Sequence, residues 1–209
     1  MYKLDPNTAR KADQTGRSIT DLGKYIGKFT QAVDVTAATG TKGIALTFEN
    51  TEGQTTRLSL YTKKTDGTEL MGLQSLFAIM TCMKLRDIAA PTRARIKKWD
   101  YETKAEVEAD ALVFPELANK PIGLLLETAD YLKKDGSIGT RMEIAGIFEP
   151  SGEFTASEIL DQKTKPEQLA KLVARLRHRT VKGAKPAQAN QGGAPAGSGF
   201  DDMDDDIPF

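Results

Sequence analysis

Residues 23–63 read GKYIGKFTQAVDVTAATGTKGIALTFENTEGQTTRLSLYTK, and their spacing decides the fold class. Tyr25, Phe29, Val33 and Val35 fall on odd positions while Lys24, Lys28, Thr30 and Asp34 fall on even ones, the period of two that marks a half-buried strand. After Thr39-Gly40 the chain alternates Ile44, Leu46 and Phe48. After Asn50 to Gly53 it alternates Leu58 and Leu60 against Arg57, Ser59 and Tyr61. Short runs of this kind, separated by glycine-containing turns, predict an antiparallel three-stranded meander.

Downstream, Leu70, Leu73, Phe77 and Met80 recur at three and four, which predicts a helix opening at Thr68-Glu69 and ending around Lys84 to Asp87. Arg93 to Tyr101 reads as extended, and Pro121 to Leu132 with Ile138 to Phe148 reads as a long hairpin around Lys133-Lys134-Asp135-Gly136. Pro166 to Arg179 carries Leu169, Leu172, Val173 and Leu176 on one face of a second helix. Upstream, residues 1–22 are polar and read as an arm. Three strands, a helix and further strands is the order of a five-stranded Greek-key barrel of the oligonucleotide-binding type. The expected body is therefore mainly β with two or three helices, spanning residues 23–182.

Beyond it the composition changes. Residues 183–199, GAKPAQANQGGAPAGSG, lack aromatic and β-branched side chains and cannot bury enough to offset their ordering entropy, so they are expected to be a flexible linker. Residues 200–209, FDDMDDDIPF, form an acidic tip. The 209-residue chain has 29 Lys plus Arg and 29 Asp plus Glu, yet five Asp lie in its last nine residues and every cation lies at or before Lys185. Those five set aside, 29 cations face 24 carboxylates, so a +5 body precedes a −5 tail. A basic body with a detached acidic end is the charge layout of a polyanion binder.

The same composition narrows the chemistry. Cys82 is the single cysteine and His178 the single histidine, which excludes a disulfide scaffold and leaves too few ligands or bases for a zinc site or a catalytic triad. Asp34, Glu49 and Glu52 stand singly, without the paired spacing of a metal-dependent nuclease. Gly23-Lys24 and Gly27-Lys28 are not part of a phosphate-binding loop. His178, among Arg175, Arg177 and Arg179, reads as a helix end, and Cys82 as a buried apolar residue. No run approaches 18 apolar residues and the first residues lack a signal-peptide core, so no membrane association is expected and the location is expected to be cytoplasmic. No catalytic residue, metal or cofactor is expected.

The most specific motif is Asp204-Asp205-Asp206-Ile207-Pro208-Phe209 at the end of that linker. It resembles the C-terminal tip of the bacterial single-stranded DNA-binding protein family. In that family the tip is a docking peptide: the resemblance implies that Phe209 enters an apolar pocket on a partner, its carboxylate meets a cation, and the Asp run meets a basic rim. The implied partners are replication, recombination and repair proteins. The likeness covers about the last ten residues and the linker style. The longer body is more similar to a phage or prophage single-stranded DNA-binding protein, which implies a bacterial cytoplasm or nucleoid, or the cytoplasm of an infected host. The competing reading of the tip is a solubilising acidic end.

Sequence-independent binding of single strands needs aromatic faces and cations on one surface. Arg93, Arg95, Lys97, Trp99 and Tyr101 project to one side if Arg93 to Tyr101 is a strand, leaving Ala94 and Ile96 on the other. Alternatively Trp99 packs inside, the commoner fate of an isolated Trp. Lys24 and Lys28 on the first strand, with Arg57 and Tyr61 on the third, would extend the surface if one wall carries them, or are solvated strand faces. Lys133 and Lys134, beside Tyr131, sit at a hairpin tip. The expected function is coating and protecting single-stranded DNA while recruiting partners through the tip, and homo-oligomerisation is compatible with it. Two rivals are an adaptor or decoy that captures host enzymes without binding DNA, and a strand-annealing recombination protein.

Overall fold

A computed structural model describes residues 18–100, 105–133 and 135–180, with the backbone alone for residues 99, 100, 105 and 106. Most of the expected arm, the linker, the tip, Tyr101 and Lys134 lie outside the described residues. Seven strands form one antiparallel sheet: β1 (Gly23–Thr36), β2 (Lys42–Asn50), β3 (Thr55–Lys63), β4 (Thr92–Asp100), β5 (Ala105–Val113), β6 (Pro121–Leu132) and β7 (Ile138–Phe148). Among the described residues three short helices accompany them, α1 (Met71–Cys82), α2 (Ala156–Leu160) and α3 (Gln168–Val173). This is the mainly β class with few helices that the patterning predicts.

The long first strand organises the rest. Its first half pairs with β6 from Gly23↔Leu126 to Lys28↔Pro121, and its second half pairs with β2 from Gly27↔Asn50 to Thr36↔Lys42. One face of the resulting wall buries Phe29, Leu46, Phe48, Leu58, Ile122, Leu124 and Leu126 beneath Ile79 and Cys82 of α1. Phe29 and Phe48, opposite each other in register, meet edge to face at 6.0 Å between ring centroids. Burial pushes the Cys82 thiol up to about 12, with Glu149 adding to the effect, so this cysteine behaves as the small apolar residue expected. Beside the wall, Ile19 is buried and donates its amide to the Thr55 carbonyl, so the end of the arm covers part of the β3 edge.

Four local expectations change. Five strands become seven, and β3 and β7 lie alongside each other without ladder hydrogen bonds among the described residues, so the barrel stays open. In β1 a register shift between Phe29 and Gln31 breaks the expected parity: Ala32 pairs with Leu46 and turns to the core, while Val33 pairs with Ala45 and turns away. The α1 helix starts after Glu69, because Glu69 bridges Lys63, and its buried positions are Ile79 and Cys82 rather than the predicted Phe77, which is 56% exposed. Gly72 fixes that rotation, since a Cβ there would collide with the Tyr61 carbonyl. The last helix stops at Val173 because the edge of β6 captures the following chain: Arg179 bonds Thr128 and Asp130 through its backbone, and His178 lies beside β6 instead of closing a helix.

Glu158 ties α2 to α3. In the Thr155-x-x-Glu158 capping box its Oε2 accepts from the Thr155 amide and hydroxyl, both at 2.9 Å, while Oε1 accepts from the amides of Glu167 at 2.6 Å and Gln168 at 2.8 Å. Burial alone would raise this carboxyl, but the four hydrogen bonds outweigh it and hold it at about 2. A folded value below the unfolded 4.5 means the charged form stabilises the fold above pH 4.5, and that stability is lost as pH falls towards 2. Glu158→Gln is expected to cost about 2 kcal/mol at pH 7. Urea unfolding at both pH values should show parent and variant converging in acid; parallel curves would refute the assignment.

Candidate nucleic-acid interface

The sheet face opposite the core acquires its character from the bulge in β1. Cross-strand register aligns Lys28, Glu49 and Thr55 in one row, Gln31, Thr47 and Arg57 in the next, then Val33, Ala45 and Ser59, then Val35, Gly43 and Tyr61. Small and β-branched side chains therefore floor this face, with Arg57 exposed and Tyr61 half-buried along its outer strand.

The β4–β5 hairpin arches over that floor. Its base joins β1 at the single pair Val33↔Val113 and through the Phe114 amide to the Ala32 carbonyl at 2.9 Å. Further out, Gln31 Nε2 donates to the Lys97 carbonyl at 3.2 Å. Alternation gives the hairpin two faces. Ala94, Ile96, Lys98, Ala109 and Ala111 are half-buried on the inner one; Arg93, Arg95, Lys97, Glu108, Asp110 and Leu112 are exposed on the outer one. Between hairpin and floor lies a cleft of about 390 Å³, lined by Val33, Ala45, Thr47, Ile96, Ala109 and Ala111, with Arg57, Lys97, Lys98, Asp34 and Asp110 also on its walls. That volume suits a flat ligand of one or two rings. No protein-family model matches the chain, and no curated protein matches it.

The structure separates the expected binding residues into four places. Arg57 lines the cleft, Lys97 offers it the backbone carbonyl that Gln31 reaches, and Tyr61 shares its floor strand. Arg93, Arg95 and Lys97 project from the outer hairpin face, as alternation predicts, but carboxylates of β5 stand opposite: Arg95 lies 3.7 Å from Glu108 and 3.9 Å from Asp110. Trp99 occupies the β4 register opposite Glu106. Elsewhere, Lys24 pairs with Glu153 at 2.5 Å above the Phe148 ring, and Lys28 approaches Glu49 at 3.8 Å, so both cations are locally matched. Lys133 is exposed at the far β6–β7 turn.

Sequence reasoning missed Gln31, Thr47, Lys98, Ala109 and Ala111. A signal for the last two existed: residues 105–113, AEVEADALV, alternate small or branched residues with mostly acidic ones, a strand pattern despite low β propensity. Among the described residues no three His, Cys, Asp or Glu side chains gather as a metal site, and no helix is long and apolar enough to cross a membrane.

Proposed function

We propose that this chain is a non-catalytic single-stranded DNA-binding protein that holds the strand in the cleft under the β4–β5 hairpin and recruits replication, recombination and repair proteins through Asp204 to Phe209. The cleft carries the reading. Its interior is lined mainly by small and branched side chains on the scale of bases, and Arg57 and Lys98 stand on its walls beside Asp34 and Asp110. A viral or prophage protein acting in bacterial cytoplasm fits a host-like tip on a longer body. The tip adds the partner function through an apolar anchor and an acidic approach that steers encounter.

Titration of a labelled oligonucleotide, single-stranded against duplex, tests the reading. Single strands are expected to bind and duplex to bind more weakly. Arg57 and Lys98 meeting phosphates predict a slope of log affinity against log salt of about −1.4. Charge reversal at Lys98 should flatten it. Equal binding of duplex, or a salt-insensitive affinity, would refute the proposal.

A further inference from the structure

Past Gly23↔Leu126 the β6–β7 hairpin leaves β1 behind and continues as a two-stranded ribbon from Glu127 to Glu143. It is braced rather than loose. Arg179 bridges Ala129 on the ribbon edge, His178 Nε2 lies 3.0 Å from Asp130, and Thr140 donates to Asp130 at 2.8 Å. The turn is fixed too: Lys133 donates its amide to Ser137 at 2.8 Å, and Asp135 Oδ1 accepts from the Ser137 amide and hydroxyl at 2.9 and 2.6 Å.

The last cross-strand pair before this turn is Leu132↔Ile138, with the two residues 61% and 51% exposed. The opposite face holds Tyr131, covered by the Arg141 guanidinium at 5.6 Å, and the exposed Lys133 follows. The strut thus ends in an apolar pair on one side and, on the other, in the exposed Lys133, with Asp135 nearby and Arg141 held by Glu143 at 2.9 Å. Two side chains fall far short of the roughly 800 Å² per partner that a stable dimer needs. A flat apolar surface edged by negative charge is instead the last base pair of a duplex.

We propose that this tip is a wedge for the junction between duplex and single strand: Leu132 and Ile138 stack on the terminal base pair while Lys133 meets the phosphate of the strand that departs. The proposal rests on the reading of the chain as a single-strand binder and extends it from holding strands to recognising where they separate.

The test uses the full chain with a DNA hairpin carrying a single-stranded arm, and the arm alone. The junction is expected to bind about tenfold tighter than the arm. Leu132→Ser with Ile138→Ser should erase that margin and leave arm affinity unchanged; Lys133→Ala should reduce it with the apolar pair intact. A 2-aminopurine in the terminal pair should brighten with the parent and not with the double variant. Equal parental affinity for junction and arm would overturn the wedge and leave the single-strand reading standing, whereas binding to neither would remove both. Retention of the margin by the folded variants, or a change in oligomeric state of the free protein in the double variant, would also overturn the wedge, the latter by making the pair a contact between copies.

Discussion

Ala109→Leu is expected to lose single-strand affinity by about 1 to 3 kcal/mol, the contribution of one stacked base. Ala109 lies opposite Ile96 in the hairpin and lines the cleft across from Val33 and Ala45. Three added carbons there occupy space intended for a base instead of disturbing the core on the other face of the sheet. Adding Ala45→Leu on the floor should deepen the loss by less than its own single effect, because both walls then fill one space. Thermal unfolding should stay close to parental. Arg95→Glu, on the outer hairpin face among Glu108 and Asp110, supplies the contrast: the cleft is untouched, so most affinity should remain. Parental affinity in a folded Ala45→Leu, Ala109→Leu protein would show that DNA does not enter the cleft.

The second large effect belongs to the other end of the chain. Removing Phe209 alone keeps all five Asp of the tip but deletes the apolar anchor. Partner docking is expected to weaken by about 2 kcal/mol or more, the size of a buried anchor, while DNA affinity stays parental. Deleting residues 201–209 also removes five negative charges, so DNA affinity at low salt should hold or rise. Pull-down of replication and repair proteins with parent and Phe209-deleted forms decides the matter. Equal capture would reduce the tip to a solubilising tail.

How much of this was legible in the chain depended on whether the signal was local. The β6–β7 hairpin could be read to its end residues because Asp135-Gly136 sets the turn and apolar runs flank it. The parity of β1 could not, since a bulge is a mismatch with a partner strand and Val33 looks the same on either face until Ala45 is known to oppose it. The face of α1 was misread for a related reason. Leu73, Phe77 and Met80 make a valid stripe, but the contact between Gly72 and the Tyr61 carbonyl selects another. The candidate site divides in the same way. Arg57 and Lys97 were found as cations on strands, whereas Gln31, Lys98 and the alanines acquire meaning when a hairpin from residues 92–113 folds over a face built from residues 31–61.

The slender root of that hairpin makes it a graft. One residue pair and a few hydrogen bonds attach it to β1, while β1, β2, β3 and β6 keep their pairings to one another without it. Its length and inner surface are therefore free to vary across evolutionary time at little cost to the wall beneath, as an antibody loop varies on a constant frame. A related chain could keep the same sheet and hold something else beneath a different arm.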